Sequence, residues 1–184
     1  MEPKVIAERA AKLGFPAVAL NDRNGLYAAM AFTEACIAKG VQPIVGAMLA
    51  VARPPETGSD GVDWLVLLAK DEKGYGNLCH LVSSAHLDRP IELDPHVPFA
   101  ALDKANEGLI ALTAGSEGAL ARLLSDGQKD QAGIYLDRLQ ALFPDRLYIE
   151  IIRRNDPVEE ASEEALVELA LQRNLPLVAT NPAA

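Results

Sequence analysis

An α/β fold, with a parallel sheet covered by helices, is predicted by the order of elements along this 184-residue chain. Short apolar runs of strand length, such as residues 17–20 and 108–113, alternate with longer stretches of helical pattern, such as residues 158–173. The apolar runs show little polar alternation, which is typical of strands buried on both faces. An open doubly wound sheet and a βα barrel both fit this pattern.

The N-terminal part of the chain predicts a helix, a strand and a second helix. Residues 3–13 have a helical pattern, and Gly14 ends it because glycine readily adopts the left-handed backbone found at helix ends. Residues 17–20 predict a short buried strand, and residues 21–25 form a polar loop after it. The second helix, over residues 26–38, is largely apolar.

Two further strands are predicted at residues 43–52 and 63–69. The linker between them, residues 54–60, is short and rich in turn-forming residues. We therefore expect the two strands to pair as a hairpin. A helix over residues 72–87 follows.

A long loop is predicted over residues 88–107, because this stretch holds three prolines, with one short helix near residues 99–104. After the loop, the alternation of strand and helix resumes. The remaining predicted strands are 108–113, 146–152 and 177–180, and the remaining predicted helices lie near 117–125, 128–142 and 158–173.

Composition indicates a cytoplasmic globular protein. No stretch approaches the roughly 20 apolar residues that a membrane span needs, and charges interrupt any signal-peptide pattern at the start. The formal net charge is −9, so the surface as a whole does not attract phosphate backbones. This balance counts against a nucleic-acid-binding module that acts by itself.

Several sequence strings, taken in order, resemble one family. They run GFPAVALNDRNGLYAAMAF, GVQPIVGAMLAV, GYGNLCHLVSSAHL, EGLIALTAGSEGALARLL, DRLYIEIIRR and LPLVATN. Together they resemble the PHP (polymerase and histidinol phosphatase) domain found at the start of bacterial DNA polymerase III alpha subunits. The resemblance extends from about residue 5 to residue 181.

The resemblance implies a distorted seven-stranded βα barrel, here truncated at both ends, with residues 1–184 as one PHP domain fragment. The polymerase palm, fingers and later domains are expected to lie outside this chain. In active members, histidines and carboxylates at the C-terminal ends of the strands bind two or three metal ions and hydrolyse phosphoesters. In other members, the domain only supports the polymerase and docks a separate proofreading exonuclease.

The positions that match the family's metal ligands are almost all substituted. Asp22 is the one remnant, and no other catalytic or metal-binding residue is predicted. The substituted positions are Arg23, Met48, Trp64, Gly115, Arg154 and Pro182. Arginine has no lone pair for a metal and repels one by its charge. The resemblance therefore implies a degenerate metal site, in which we expect Asp22 to form an ion pair with Arg23 or Arg154.

The functional expectation is a structural and docking module of a replicative polymerase. The parent protein would synthesise DNA on a template with Mg²⁺ in its palm, while this fragment alone would be inactive and bind no cofactor. The implied partners are the palm of the same chain, the proofreading exonuclease subunit and, through the parent, primer-template DNA; no membrane is involved.

Two alternatives remain open from the sequence. One is an active metal-dependent PHP phosphoesterase or 3′–5′ exonuclease, which requires ligands that the chain lacks. The other is the PHP domain of an error-prone alpha-like polymerase, whose loop resembles the LNDRN string at residues 20–24.

Overall fold

The computed structural model describes residues 2–181. Its first half contains α1 (Pro3–Lys12), β1 (Ala17–Arg23), α2 (Ala29–Ala38), β2 (Gln42–Ala52), β3 (Val62–Ala69) and α3 (Glu72–Leu87). Its second half contains α4 (Ala100–Ala105), β4 (Leu109–Leu112), α5 (Ala119–Ser125), α6 (Lys129–Leu142), β5 (Leu147–Ile151), α7 (Pro157–Gln172) and β6 (Leu177–Ala179). Each predicted strand and helix is present, with its bounds shifted by a few residues at most.

The six strands form one curled sheet in the order β1-β2-β3-β4-β5-β6. The sheet is a half-barrel with helices packed on it, so the predicted α/β barrel fold, incomplete in this chain, is confirmed. Among the described residues 2–181, no helix has the length and apolar character needed to cross a membrane.

The sheet is parallel apart from β3, the strand that was expected to form a hairpin with β2. This strand runs antiparallel to both β2 and β4, whereas β1–β2, β4–β5 and β5–β6 are parallel. The predicted hairpin of β2 and β3 is confirmed, with Leu49 opposite Leu65. The linker between them is too short for a crossover connection, which takes a dozen or more residues, so β3 has to reverse direction.

The main core lies between the sheet and its helices. Alternate strand residues such as Leu49, Leu65 and Leu67 point toward the helices, where they pack with fully buried side chains that include Leu78 and Leu120. Complete burial of one such side chain stabilises the fold by about 1.5–3 kcal/mol. Helix packing therefore fixes which strand residues are left to face the other side of the sheet.

The opposite face of the sheet, here called the inner face, carries a smaller cluster. Val66 and Leu112 are buried there, with Met48, Trp64 and Tyr148 partly buried around them. These residues alternate along their strands with those of the main core, as the two-residue period of a strand requires. The residue types at inner-face positions therefore decide what a site on this side of the sheet can bind.

A glycine fixes how closely α3 approaches the sheet. A Cβ atom built on Gly74 would lie 1.8 Å from the carbonyl oxygen of Gly108, at the start of β4. Asp71 caps the same helix, because its Oδ1 accepts a 2.9 Å hydrogen bond from the Gly74 N–H. This contact holds the amino end of α3 against the chain that enters β4.

Candidate functional site

One edge of the sheet gathers the predicted site positions. The carboxyl ends of β1, β2, β4, β5 and β6 lie there together with the amino end of β3, because β3 alone runs in the opposite direction. The predicted positions in or beside the strands at this edge are Asp22, Arg23, Met48, Trp64, Gly115 and Arg154. Pro182, the last predicted position, lies outside the described residues.

Arg23 is the centre of the best-defined cluster at this edge. Its Cα is paired with that of Met48 in the parallel register of β1 and β2. Its guanidinium carbon lies 4.8 Å from the centroid of the Trp64 ring, in a cation–π contact. Three substituted positions are therefore neighbours, and a fixed positive charge lies among them.

The partner of Arg23 is a residue that sequence reasoning did not single out. Nη2 of Arg23 donates to both carboxylate oxygens of Glu117, at 2.9 and 2.7 Å. Glu117 lies in a 3₁₀ turn, Gly115–Glu117, directly after β4. The turn belongs to the string EGLIALTAGSEGALARLL of the family resemblance, but nothing in that string indicates that its glutamate reaches an arginine from β1.

Asp22 lies apart from this cluster. Its Oδ2 accepts a 2.9 Å hydrogen bond from the Ala28 N–H, in the turn that leads into α2. Within residues 2–181, no ion pair within 4.0 Å joins Asp22 to an arginine, so the structure differs here from the expected pairing. The physical reason is that adjacent residues on a strand point to opposite faces. Arg23 is on the inner face, and Asp22 is on the side of α2.

Gly115 has a packing role at its position. A Cβ atom there would lie 2.6 Å from Cδ1 of Ile152, and the backbone φ is 51°. Ala114, just before it, also has a positive φ, of 62°. The turn after β4 is therefore tightly folded against the end of β5, and it is this turn that places Glu117.

Arg154 forms an ion pair with a different carboxylate, that of Glu159. Its backbone N–H donates to Oε2 of Glu159 at 2.7 Å, and its Nε donates to Oε1 at 3.3 Å. Ser116 Oγ also donates to Glu159 Oε1, at 3.4 Å. Both arginines expected to contact Asp22 are therefore paired with glutamates, Arg23 with Glu117 and Arg154 with Glu159.

Glu150 in β5 is a buried carboxyl group that sequence reasoning missed. It is only 5% exposed, and its Oε1 accepts a hydrogen bond from the Thr180 hydroxyl. Its Oε2 is buried without a hydrogen-bond partner among the described residues. Burial raises the pKa of Glu150 above its usual value, and the Thr180 hydrogen bond, like the nearby Arg154 charge, opposes this only in part.

A small pocket adjoins this carboxyl group. Glu150 and Glu159 line it together with Ser116, and it has room for about one water molecule. The signal for Glu150 in the sequence is the strand period, since Tyr148 and Glu150 both fall on the inner face. The sequence, however, does not distinguish a single acidic side chain that is exposed to solvent from one that is buried beside a pocket.

Asn24 fixes the geometry just beyond Arg23. It is buried, with a φ of 45°, and its Oδ1 accepts from the Ala50 N–H at 2.8 Å while its Nδ2 donates to the Pro95 carbonyl at 2.7 Å. Its own carbonyl accepts from Nε2 of His86, at 2.8 Å. This residue therefore joins the end of β1 to β2, to α3 and to the long loop after α3.

The chemistry available at this edge is that of paired charges. In residues 2–181, no three histidine, cysteine, aspartate or glutamate side chains come together in a way that would hold a metal ion. Glu117 and Glu159, beside the predicted positions, already accept hydrogen bonds from arginines, and Glu150 accepts one from Thr180. The donor set therefore does not fit the two or three metal ions of an active PHP site.

Comparison with protein families gives a match over most of the chain. The model of the PHP domain family matches residues 1–154. The chain is 36% identical to the DNA polymerase III subunit alpha of Rickettsia bellii over 176 residues and 36% identical to that of Caulobacter vibrioides over 179. The subunit from Pseudomonas aeruginosa is 35% identical over 178 residues.

These relatives are much longer than the chain. The alignments cover 96% of the chain for the first two and 97% for the third, but only 15%, 16% and 15% of the relatives. Among solved structures, the fold is similar to a protein from Bifidobacterium adolescentis named as a metal-dependent phosphoesterase. The TM-score is 0.57, at 18% identity, over 97% of this chain and 80% of that one. At this identity, the likeness concerns the fold alone.

Proposed function

This chain belongs to the PHP domain family, and from that premise we propose that it braces a bacterial replicative DNA polymerase and docks its partners, with a metal site that no longer functions. The parent protein performs template-directed DNA synthesis with Mg²⁺ held in its palm, outside this chain. The domain itself holds no metal and hydrolyses no phosphoester. It works in the cytoplasm, where the bacterial chromosome is copied.

The cluster of Arg23, Trp64 and Glu117 supports the loss of the metal site. A guanidinium beside the inner face has no lone pair to donate and repels a divalent cation. Glu117 would be the obvious carboxylate ligand at this edge, but both of its oxygens accept from Arg23. The arginine therefore supplies the positive charge that the carboxylate requires, without any metal.

The neighbouring positions support the same conclusion. Met48 and Trp64 pack in the apolar cluster of the inner face, and neither side chain is an oxygen or imidazole ligand of the kind that Mg²⁺, Mn²⁺ or Zn²⁺ takes in enzymes. Asp22 is directed to the turn before α2 instead of to the inner face. The residues present therefore do not fit a hydrolytic metal centre, and we derive no reaction step through one.

The charge balance supports protein partners over direct DNA binding. The net charge of −9 opposes contact with phosphate backbones over most of the surface. We propose that the palm of the parent chain and the proofreading exonuclease subunit contact this domain, and that primer-template DNA is bound by other parts of the parent. All three of the relatives described above are alpha subunits of DNA polymerase III, which favours this context.

Metal content and hydrolysis test the proposal directly. We expect elemental analysis of the purified chain to find no stoichiometric metal, and calorimetry with Mn²⁺ and Zn²⁺ to find no tight site. A phosphoester substrate should not be hydrolysed faster with Mn²⁺ than without it. Two or more tightly bound ions, together with Mn²⁺-stimulated hydrolysis that Asp22→Ala abolishes, would show instead that the domain is an active phosphoesterase.

A further inference from the structure

A group of exposed apolar side chains lies next to the site edge. Tyr27, Leu87 and Ile91 are 78%, 79% and 87% exposed, and Met30 and Leu93 are also largely open to solvent. We call these five residues the apolar rim. Single exposed apolar side chains are ordinary, but several of this size on adjoining segments are typical of interaction surfaces.

The segments that carry the apolar rim are joined at one residue. Asn24, three positions before Tyr27, accepts from His86, which precedes Leu87, and donates to the carbonyl of Pro95, two positions after Leu93. The turn after β1, the end of α3 and the loop after α3 therefore meet at a buried asparagine. The segments that carry Tyr27, Leu87, Ile91 and Leu93 are therefore held together at this point.

The loop itself is held in shape by Arg89. The guanidinium of Arg89 donates to the carbonyls of Pro90 and Ile91, at 2.8 and 3.2 Å, and to that of Leu93. These bonds fold the loop around its own arginine and leave Ile91 and Leu93 pointing outward. An apolar surface that is already ordered loses less conformational entropy on binding, which is the property of a preorganised interface.

Tyr27 is placed in a similar way. Its ring lies against Gly25, where a Cβ atom would be only 2.1 Å from a ring carbon. One face of the ring is therefore seated on the backbone, while most of the side chain remains open. Aromatic residues that are rigid and exposed in this manner are common anchors in protein interfaces.

The charges beside the apolar rim are mostly negative. Asp88, Glu92 and Asp94 lie on the loop, and within the described part of the chain none of them forms an ion pair within 4.0 Å. The guanidinium of Arg89 is turned to backbone carbonyls, so it does not neutralise them directly. A nucleic acid or a second copy of this chain would bring further negative charge to the same place and be repelled.

We propose that the apolar rim is the docking site for a protein segment that presents apolar side chains flanked by lysine or arginine. The apolar side chains would cover Tyr27, Leu87 and Ile91, and the basic ones would pair with Asp88, Glu92 and Asp94. This inference rests on the proposed docking function and adds to it the face of the domain and the chemistry of the partner.

The test measures binding of the purified proofreading exonuclease subunit to the chain by calorimetry. The double variant I91D/L93D should weaken binding at least tenfold, because it places charges in the centre of the apolar contact. The matched control is Leu171→Asp, since Leu171 is a similarly exposed apolar residue at the end of α7. The control should bind like the wild type. Glu92→Lys should also weaken binding, and more so at low salt.

Three results would overturn the inference. The first is wild-type affinity in I91D/L93D, and the second is equal loss in the Leu171→Asp control. The third is absence of exonuclease binding to the wild-type chain, which would show that this partner does not cover the rim. Because metal content is measured separately, a failure here leaves the degenerate-site proposal standing, and the reverse also holds.

Discussion

Arg23 and Glu117 form a two-point ion pair that joins the end of β1 to the turn after β4, with Nη2···O distances of 2.9 and 2.7 Å. The two residues are 94 positions apart in the sequence. Because the pair lies beside Trp64 on the inner face, it occupies the part of the sheet edge where the family resemblance places metal ligands. The guanidinium of Arg23 thus supplies the positive charge beside the carboxylate of Glu117.

The Arg23–Glu117 pair should contribute little to global stability. The side chains are 53% and 27% exposed, so solvent screens most of their attraction. In a double-mutant cycle of Arg23→Ala and Glu117→Ala, followed by urea unfolding, we expect a coupling free energy of about 0.5–1 kcal/mol. A coupling energy several times larger would mean that the pair is a main contributor to the stability of the fold.

Removing Arg23 should not restore metal binding. Arg23→His supplies an imidazole and frees the carboxylate of Glu117, but Met48, Trp64 and Gly115 still provide no side-chain ligand, so the edge offers fewer than the three protein ligands of a catalytic zinc site. We expect Zn²⁺ titration of this variant by calorimetry to remain without a tight site, as in the wild type. The companion variant R23H/M48E adds a carboxylate in register with position 23 and tests how many ligands the edge needs. Tight binding by Arg23→His alone would contradict the proposal that the residues at this edge do not fit a metal site.

Glu150 predicts a pH dependence of stability. Burial raises the pKa of Glu150 in the folded state. The folded protein therefore binds the proton more tightly than the unfolded chain, in which the pKa of a glutamate is about 4.3. The contribution of Glu150 to the unfolding free energy is therefore largest below about pH 4 and is lost as the pH rises through the folded-state pKa. Glu150→Gln keeps the acceptor for Thr180 and removes the titration.

We therefore expect the unfolding free energy of Glu150→Gln to be higher than that of the wild type at about pH 8. At about pH 4 the two values should approach each other. Urea unfolding at a series of pH values measures this difference. The matched control is Glu160→Gln, which changes an exposed glutamate of α7 and should follow the wild type. A pH-independent difference between Glu150→Gln and the wild type would mean that the carboxyl group is solvated in the folded state.

The order of strands and helices could be read from the sequence because period and turn chemistry are local. The apolar run of β2, the short linker and the run of β3 were enough to predict their hairpin. The antiparallel pairing of β3 with β4 could not be predicted in this way. The connection between them, from Lys70 to Gly108, is 39 residues long, so its length allows either a parallel or an antiparallel strand to follow.

Only part of the geometry around the predicted site positions could be read from the sequence, for a similar reason. Family resemblance located the substituted positions Arg23, Met48 and Trp64, which the structure brings together. It did not locate Glu117 as the partner of Arg23, because ion pairs between distant segments leave no local pattern. It also paired Asp22 with an arginine, although strand alternation alone directs Asp22 and Arg23 to opposite faces. The predicted strand ends at residue 20, whereas β1 continues to Arg23, and the two-residue period of this longer strand separates the two side chains.

Asp63 should be far more important for stability than the ion pairs of the site edge. It is 4% exposed, and it accepts from Arg53 Nε at 2.6 Å and from Arg122 Nη1 at 2.9 Å. Asp63→Ala leaves the buried Arg53 without its carboxylate, and we expect a loss of about 3–5 kcal/mol in unfolding free energy. Glu163→Ala, which breaks an exposed pair with Arg153, is the control and should leave urea unfolding nearly unchanged. Similar losses in both variants would contradict the importance of burial.

Asn24 should control the order of the loop that carries the rim residues Ile91 and Leu93. Asn24→Ala leaves the buried Ala50 N–H and the Pro95 carbonyl without their partners and also strains a backbone with φ of 45°. Asn174→Ala is a matched control, because Asn174 has a φ of 51° but makes no side-chain hydrogen bond among the described residues. The strain is common to both variants, so the difference between them isolates the hydrogen bonds of Asn24.

We expect that difference to be about 1–3 kcal/mol in unfolding free energy, since the buried Ala50 N–H and the partly buried Pro95 carbonyl lose their partners. Amide exchange over residues 88–98 should also become faster in Asn24→Ala and remain unchanged in Asn174→Ala, because Asn24 joins this loop to β1 and β2. If both variants lose the same stability and the loop exchanges as in the wild type, backbone strain would be the whole effect. Asn24 would then not be the residue that holds the rim in place.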